Sequence, residues 1–264
     1  MREWDADAYH RVSNPQFDWG TVVLDRLPLH GTELVLDVGC GTGRLTEQLL
    51  ERLPRGQVLA VDLSSNMVQA ARDYLRPSRG TRVQLVVADA AALPVRELAD
   101  AIFSTATFHW VLDHPRLFRS LFRALKPGGR LVAQCGGGAN LERIHQRLDA
   151  LKADAKFACY FSAWREPWEF ADAQTTAMRL AHAGFEDIRT NVVHAPVVFP
   201  DGESFRAFIT NVICRPYLAF LPDEATRRRF IAQVSEHAAH DNPPFELDYW
   251  RLNIESRKPE GLAG

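Results

Sequence analysis

The sequence predicts an α/β fold in which helices cover both faces of a mostly parallel sheet. From residue 34 onward, short apolar runs alternate with segments of helical period, which is typical of strands buried on both faces. A glycine cluster follows the first run directly, as expected where a strand turns sharply into a helix. We assign the first five strands to residues 34–38, 57–62, 83–89, 101–105 and 130–135.

Helical periodicity identifies the segments between these strands. Leu45, Leu49 and Leu53 recur every fourth residue after the first strand, so they form one buried helix face. Ser64 and Asp113 stand where the next two helices need N-caps. Since a strand, a helix and a parallel strand connect with right-handed topology, this order of elements predicts a doubly wound sheet.

The chain after residue 135 departs from this alternation, because helical segments follow one another without an intervening strand. The last strand alternates apolar and polar residues, and we expect it to run antiparallel at the sheet edge beside the sixth. We predict one domain over residues 1–264, made up of an N-terminal arm (1–33), a core (34–135), two helical insertions that form a lid (140–170 and 200–243) and two last strands (184–199 and 245–258).

Composition and charge exclude several classes of function. Apolar residues make up 46% of the chain and charged residues 24%, which supplies a core and excludes a disordered protein. The 31 basic and 33 acidic side chains give a net charge of -2, so no general positive field attracts nucleic acid or an anionic membrane. We expect a small-molecule partner, without nucleic acid or membrane, and a monomer or a homodimer.

The cysteines and the N-terminus indicate the compartment. The four cysteines are widely spaced, with no C-x-x-C pair and no clustered histidines, so we predict neither a metal site nor disulfides. The N-terminus lacks the apolar segment of a signal peptide, and no apolar run approaches the roughly 18 to 20 residues that span a bilayer. We therefore expect a soluble cytoplasmic protein.

The glycine cluster carries the strongest functional signal. Gly39, Gly41 and Gly43 follow the first strand and precede a helix, where backbone passes close to a ligand at the helix N-terminus. Asp37 precedes these glycines, and Asp62 ends the second strand, where an acid that binds ribose hydroxyls belongs. Because these features coincide, we favour a nucleotide-binding loop over a plain turn.

The spacing of the glycines discriminates between nucleotides. Dinucleotide-binding loops carry G-x-G-x-x-G, whereas this chain has G-x-G-x-G followed by Arg44. Asp37 would repel a pyrophosphate and attract a cation, and two unit charges near 4 Å interact by about 4 kcal/mol at an effective dielectric near 20. An adenosine that carries an ammonium and a sulfonium fits better than NAD, although an NAD-dependent oxidoreductase stays open as an alternative.

Four motifs around these residues resemble those of the class I S-adenosylmethionine-dependent methyltransferases. VLDVGCGTGRLT resembles the first motif of that family, VDLSSNM its second-strand acid, VVADAAALP its adenine-binding turn and LKPGGRLV its connection into the fifth strand. The resemblance implies a seven-stranded Rossmann-like sheet, with six parallel strands and an antiparallel last strand. It also implies S-adenosylmethionine as cofactor and S-adenosylhomocysteine as product.

The resemblance carries over to single residues. Asp62 would bind the ribose hydroxyls, Asp89 the adenine amine, and Ser104 would flank the methionine portion. The N-terminal arm and FSTATFHWVLDHP are similar to small-molecule enzymes such as trans-aconitate 2-methyltransferases and malonyl-carrier O-methyltransferases, in which such an arm closes over the methionine end. The cofactor-binding residues implied in this way are Tyr9, Trp19, Asp37, Gly39, Gly41, Asp62, Leu63, Met67, Asp89, Ala90, Ser104 and Trp110.

The implied reaction is in-line transfer of a methyl group to a small acceptor, at the oxygen of a carboxylate or a hydroxyl. His109 is the candidate catalytic base, with an orienting role equally open, because an imidazole titrates near neutral pH and a carboxylate needs no base. His109, Trp110 and Arg215 are the candidate acceptor-binding residues, whereas we interpret Trp164 and Trp168 as packing residues. An RNA or protein methyltransferase and a non-catalytic S-adenosylmethionine-binding module are further alternatives.

Overall fold

The structure is a computed structural model and describes Ala6 and residues 14–261, with the side chains of residues 76–79 excepted. Its strands are β1 (Leu34–Val38), β2 (Gln57–Asp62), β3 (Val83–Val87), β4 (Ala99–Thr105), β5 (Leu125–Gly136), β6 (Glu186–His194), β7 (Val197–Val198), β8 (Glu246–Leu247) and β9 (Trp250–Arg257). Seven of them form the main sheet, in the order β3-β2-β1-β4-β5-β9-β6.

The strand directions confirm the predicted sheet. Strands β1 to β5 pair in parallel, and β9 pairs antiparallel with both β5 and β6. Strand β6 therefore runs in the same direction as the first five. The main sheet has six parallel strands and one antiparallel strand, which is the last in the chain.

The prediction that the last strand lies at the sheet edge is wrong. Strand β9 lies between β5 and β6, and β6 forms the edge. The alternation in β9 separates two buried faces, because Leu252 and Ile254 enter the apolar core while Arg251 and Asn253 are buried among polar side chains. A polar residue in an alternating pattern is therefore not always a solvated one.

Both predicted last strands are also shorter than expected. The chain leaves the main sheet after His194 and returns to it at Trp250. The segments next to these points form a separate antiparallel pair, in which Val197 of β7 faces Leu247 of β8. This small sheet brings residues 197–198 and 246–247 together outside the main sheet.

The helices follow the periodic segments of the sequence. They are α1 (Asn14–Leu24), α2 (Arg44–Arg52), α3 (Ser65–Arg79), α4 (His114–Ala124), α5 (Glu142–Ala153), α6 (Ala173–Ala183), α7 (Gly202–Phe208), α8 (Arg215–Leu218) and α9 (Glu224–Ala238). The predicted caps are present, since Ser64 accepts from the backbone N–H of Met67 and Asp113 accepts from that of Arg116. In residues 14–261, no helix combines the length and apolarity required to cross a membrane.

Alternating side chains of the strands build two cores, one on each face of the main sheet. Leu36 and Ile102 pack with α4 and α6 on one face. Val35 and Phe103 pack with α1 and α2 on the other face. The sheet is thus covered on both sides, which explains the unbroken apolar runs of its strands.

A third apolar cluster joins the two predicted insertions, residues 140–170 and 200–243, which we call the cap. It contains Leu148 of α5, Phe208 of α7 and Phe230 of α9. Ion pairs from Arg143 to Glu246 and from Arg147 to Asp241 tie α5 to the chain that leads into β9. The cap therefore packs as one unit over the end of the sheet.

Candidate active site

A cavity of about 390 Å³ lies between the carboxyl ends of the parallel strands and the cap. The strand order reverses between β1 and β4, and doubly wound sheets bind their ligands at this point. The volume is in the range of small-ligand sites. The residues that line the cavity include Gln16, Gly39, Gly41, Asp62, Leu63, Met67, Asp89, Ala90, His109, Trp110, Asn140, His145, Trp168, Phe170, Val212, Ile213, Tyr249 and Arg251.

Two glycines shape the loop after β1. Gly39 has φ +78°, and a Cβ there would lie 1.9 Å from the hydroxyl of Thr107, so no larger residue fits. Gly41 has φ +54°, and a Cβ there would meet no atom of the described residues within 4 Å. Because Gly41 lines the cavity, this open space beside its backbone fits a bound cofactor.

Asp62 links this loop to the following helix. Its Oδ2 accepts from the backbone N–H of Gly41 at 3.0 Å, and its Oδ1 accepts from that of Ser64 at 2.9 Å. A carboxylate has about four acceptor positions, so it can also accept from ribose hydroxyls. Asp62 lines the cavity, and its contact with the ribose stays a prediction.

The predicted adenine-binding residues lie along the same wall. Asp89 accepts from the backbone N–H of Ala91 at 2.8 Å and thereby caps the short turn that contains Ala90. Met67 is buried, whereas the side chain of Leu63 is half exposed at the cavity rim. These side chains combine an apolar surface with a carboxylate, which suits a purine with an exocyclic amine. Their contact with adenine stays a prediction.

Asp37 and Ser104 are buried and do not line the cavity, so their predicted contact with the cofactor stays a prediction. Asp37 accepts from the hydroxyl of Thr46 at 2.6 Å, and Ser104 donates to the carbonyl of Val38 at 2.7 Å. Burial raises the pKa of Asp37 to about 7, with a further rise from the charge of Asp62 and an opposing effect of the Thr46 hydroxyl. Both residues therefore stabilise the loop and the strands beneath it.

The N-terminal arm contributes a residue that the sequence analysis missed. Tyr9 lies outside the described residues. Trp19 stands behind the cavity wall, where it packs edge-on against Tyr249 and lies 4.6 Å beneath the guanidinium of Arg251. Gln16, from the same helix, lines the cavity instead, and its buried Oε1 has no hydrogen-bond partner among the described residues.

His109 has a defined proton position. The backbone N–H of Gly136 donates to its Nδ1 at 3.3 Å, so the proton of the neutral ring is on Nε2. Burial holds the pKa of His109 well below its usual range, and the positive charges of Arg251 and His114 lower it further. His109 is therefore a neutral ring that presents a donor, and the nitrogen that a base would need is already bonded.

The segment that crosses over His109 forms one aromatic wall. The backbone N–H of Glu169 donates to the carbonyl of His109 at 2.8 Å, and the carboxylate of Glu169 pairs with Arg179 of α6 at 2.5 Å. These two bonds position Trp168 and Phe170, which line the cavity on either side of Glu169. Trp168 packs within the cap, as interpreted from the sequence, and also lines the cavity.

His145 is a second histidine that the sequence analysis missed. Its ring stacks on Trp168 with centroids 4.7 Å apart and planes 5° apart. Burial lowers the pKa of His145 to about 4, so the ring is neutral at pH 7. The sequence showed only a histidine on a helix with an apolar face, and a histidine in such a position is more often a packing residue.

The arginine at the cavity is Arg251 and not the predicted Arg215. Arg215 begins α8 and does not line the cavity. Arg251 is 3% exposed on β9, and its Nε donates to Gln134 at 3.2 Å. An arginine inside a strand with apolar neighbours could have indicated a buried cation. We did not predict this because we placed that strand at the sheet edge.

Comparison with known proteins decides the family. A family model described as "Methyltransferase domain" matches residues 35–129. The chain is 30% identical to trans-aconitate 2-methyltransferase of Acidovorax sp. (strain JS42) over 230 residues, which cover 84% of each chain. It is also 30% identical to the protein of that name from Methylobacterium nodulans, over 92% of each chain. The chain belongs to the class I S-adenosylmethionine-dependent methyltransferases.

A solved structure shows the same fold. The phosphoethanolamine N-methyltransferase 2 of Haemonchus contortus, in complex with S-adenosyl-L-methionine, superimposes with a TM-score of 0.64 at 19% identity. The match covers 97% of this chain and 57% of that longer protein. This chain is thus an S-adenosylmethionine-dependent methyltransferase, as its motifs led us to expect.

Proposed function

We propose that this methyltransferase esterifies a small carboxylic acid, with Arg251 as the group that binds the reacting carboxylate. The observation that carries the proposal is the buried guanidinium of Arg251 in the cavity wall. Its Nε–H bond to Gln134 fixes the plane of the guanidinium. A planar guanidinium matches the two oxygens of a carboxylate better than any other protein cation does.

The curated relatives support a carboxylate acceptor. They are named for trans-aconitate, which is a carboxylic acid. A carboxylate with a pKa near 4 is ionised at pH 7 and is already a nucleophile. The neutral His109 fits this reaction, since it offers a hydrogen bond through Nε2 without having to remove a proton.

We also propose which residues hold the cofactor. Asp62 would accept from the ribose hydroxyls, Asp89 and the Ala90 backbone would bind the adenine edge, and Met67 would pack on the ring. When bound, S-adenosylmethionine supplies a methyl group on a sulfonium, which takes the electron pair of the broken C–S bond as the C–O bond forms. The residues of the chain contribute binding, orientation and exclusion of water.

Arg251 and His109 would orient the reacting carboxylate together. Gly136, which donates to His109, faces Arg251 directly across the β5–β9 ladder. The paired residues Gly136 and Arg251 therefore fix the positions of both hydrogen-bond donors, which are the guanidinium of Arg251 and the Nε2–H of His109. Together they would hold a carboxylate in a single orientation, and the aromatic wall of Trp168 and Phe170 would exclude water from it.

The decisive experiment offers the enzyme S-adenosylmethionine with carboxylates, phenols and amines of matched size, and measures S-adenosylhomocysteine formation. We expect turnover with carboxylates and a product that releases methanol on alkaline hydrolysis, as a methyl ester does. Turnover of phenols or amines without turnover of any carboxylate would contradict the proposal. Cofactor binding without turnover of any acceptor would instead support a non-catalytic binding module.

A further inference from the structure

We infer that Arg179 of α6 is a positioning residue for the acceptor site, although it does not line the cavity. It acts through His114 and Glu169 on the short turn Phe108–Trp110, which carries His109. We call Arg179, His114 and Glu169 the positioning network. The inference rests on the proposed function, which places the acceptor beside His109, and it assigns residues outside the cavity to that site.

The guanidinium of Arg179 joins two separate segments of the fold. Its Nη1 lies 2.9 Å from Nδ1 of His114, at the start of α4, and 2.5 Å from Oε1 of Glu169, in the segment that crosses over His109. This nitrogen carries two hydrogens, so it can serve both partners at once. The side chains of Arg179 and Glu169 are 25% and 30% exposed, so water screens this ion pair less than it screens a surface pair.

Arg179 also determines which nitrogen of His114 carries the proton. An arginine side chain is a donor only, so Nδ1 of His114 accepts from it and the ring proton lies on Nε2. This Nε2 lies 3.1 Å from the carbonyl oxygen of Phe108 and therefore donates to it. Burial lowers the pKa of His114 from its usual value, against an opposing effect of Glu169, which agrees with a neutral ring. Both ring nitrogens of this buried histidine thus have a partner.

The turn that carries His109 is held at two consecutive carbonyl groups. His114 donates to the carbonyl of Phe108, and the backbone N–H of Glu169 donates to that of His109 at 2.8 Å. A third contact holds the ring, because the N–H of Gly136 donates to Nδ1 of His109. The direction of the His109 Nε2–H therefore depends on two donors that one guanidinium connects.

The aromatic wall depends on the same guanidinium. Trp168 and Phe170 flank Glu169 in the chain, and both line the cavity. The rings of Phe170 and His109 have centroids 5.7 Å apart. A shift of Glu169 would thus move the wall and the His109 ring relative to each other. Methyl transfer is sensitive to such shifts, because a misplacement of about 1 Å can lower a rate by about a hundredfold.

The proposed cofactor-binding carboxylates are held by other bonds. Asp62 accepts from the N–H groups of Gly41 and Ser64, and Asp89 accepts from that of Ala91. These bonds do not involve the positioning network. We therefore expect loss of the network to affect the acceptor more than the cofactor.

The main test is Arg179→Gln in the whole enzyme, with S-adenosylmethionine and the carboxylate that the parent methylates best. Glutamine keeps a polar side chain on α6 but removes the cation and the planar group that contacts two partners. We expect kcat/KM for the acid to fall by about tenfold or more, with a much smaller change in the Kd of S-adenosylhomocysteine measured by calorimetry. An unchanged kcat/KM would overturn the inference.

Arg52→Gln is the matched control. Arg52 forms an ion pair with Asp25 at 2.6 Å, and neither residue lines the cavity. The same substitution there removes an arginine–carboxylate pair away from the acceptor, and we expect it to leave kcat/KM unchanged. A decrease equal to that in Arg179→Gln would show a general effect of losing an ion pair and would overturn the positioning role.

A second variant tests whether the network acts as a unit. Glu169→Gln removes the carboxylate but keeps the backbone N–H that donates to His109. We expect it to lower kcat/KM, and we expect the double variant Arg179→Gln/Glu169→Gln to lower it no further than Arg179→Gln alone. Independent, multiplying effects of the two substitutions, in variants with equal melting temperatures, would contradict a shared role.

The ring signals of the histidines test the positioning without any acceptor. In enzyme that carries isotope-labelled histidine and bound S-adenosylhomocysteine, we expect Arg179→Gln to shift the nitrogen resonances of His109 and Arg52→Gln to leave them in place. The spectrum of His109→Gln identifies these resonances by their absence. Unchanged His109 resonances in Arg179→Gln would overturn the inference.

The two kinds of measurement separate this inference from the proposed function. If no carboxylate is methylated, the proposed carboxyl methylation fails, and the His109 resonances alone decide the positioning role. If carboxylates are methylated and Arg179→Gln leaves kcat/KM unchanged, the proposed function stands and the positioning role is overturned.

Discussion

Gly136 and Arg251 face each other across the β5–β9 ladder, and the N–H of Gly136 donates to Nδ1 of His109 at 3.3 Å. A Cβ on Gly136 would lie 2.8 Å from both Asn140 and Phe170, so the approach of these side chains requires glycine here. One residue pair of the main sheet thus determines the position of the candidate carboxylate-binding cation and the proton position of the candidate hydrogen-bond donor.

The role of His109 is tested by its pH dependence. We expect His109→Ala to lower kcat/KM by about tenfold to a hundredfold, because a hydrogen bond to a charged acceptor contributes about 1.5 to 3 kcal/mol. We expect no acid limb near pH 6.5 in the parent enzyme, because burial holds the pKa of His109 well below that value. The measurement is kcat/KM with a carboxylate acceptor between pH 5 and 9.

Two outcomes distinguish a donor from a base. His109→Gln can offer an amide N–H in place of Nε2–H and should retain more activity than His109→Ala. If the pH profile of the parent enzyme has an acid limb near pH 6.5 and this limb is absent in His109→Ala, then His109 is a general base.

Two arginine variants test the assignment of the carboxylate-binding group. Arg251→Gln should raise the KM for the acid by about tenfold or more, with a smaller change in the Kd of S-adenosylmethionine, because a charge-assisted contact to the acceptor is lost. Arg215→Gln is the matched control, since Arg215 does not line the cavity. Equal effects of the two substitutions on KM would remove Arg251 from the acceptor site. Steady-state kinetics and calorimetry provide these values.

Asp62 is expected to dominate cofactor affinity. Asp62→Ala should raise the Kd of S-adenosylmethionine by about tenfold or more, because hydrogen bonds to a charged acceptor contribute about 1.5 to 3 kcal/mol each. The same change releases the N–H groups of Gly41 and Ser64, so Asp62→Asn serves as a variant of similar shape. Calorimetric titration gives the Kd, and an unchanged value in Asp62→Ala would exclude Asp62 from the cofactor site.

We expect the stability of the cofactor-free protein to depend on pH because of Asp37. Its pKa is raised to about 7 in the folded protein, so the folded state binds this proton more tightly than the unfolded state does. The stabilising contribution of the protonated group is complete below about pH 4 and is lost as the pH rises towards 7. The free energy of unfolding of the parent should therefore fall across this range relative to that of Asp37→Asn.

Urea unfolding of both proteins between pH 4.5 and 8 measures this difference. We expect it to change by a few kcal/mol in favour of Asp37→Asn and to level off above pH 7. A difference that does not vary with pH would show that Asp37 titrates alike in the folded and unfolded states.

Most of the cofactor wall was predictable from short stretches of sequence. The glycine loop, Asp62 and Asp89 each follow directly on a strand, so the carboxyl edge of the parallel sheet brings them together once the strands are recognised. For Asp37, the sequence shows that a carboxylate precedes the loop, but not that its side chain accepts a hydrogen bond from Thr46.

The acceptor wall was largely missed for a different reason. Trp168, His145 and Arg251 belong to separate segments whose local patterns are those of packing residues. Nothing within a few residues of Arg215 or Arg251 indicates which of them reaches the cavity. Only the position of β9 between β5 and β6 makes that distinction.

The sequence by itself determined the sheet, the glycine loop and the family, because these depend on periodicity and on residues close together in the chain. The tertiary structure alone decided which side chains of the cap and of β9 line the cavity. The reason is that the pairing of Gly136 with Arg251, and the packing of the cap over His109, join parts of the chain that are distant in sequence. The charge and shape of the acceptor wall follow from those long-range contacts, and with them the acid that we expect this methyltransferase to esterify.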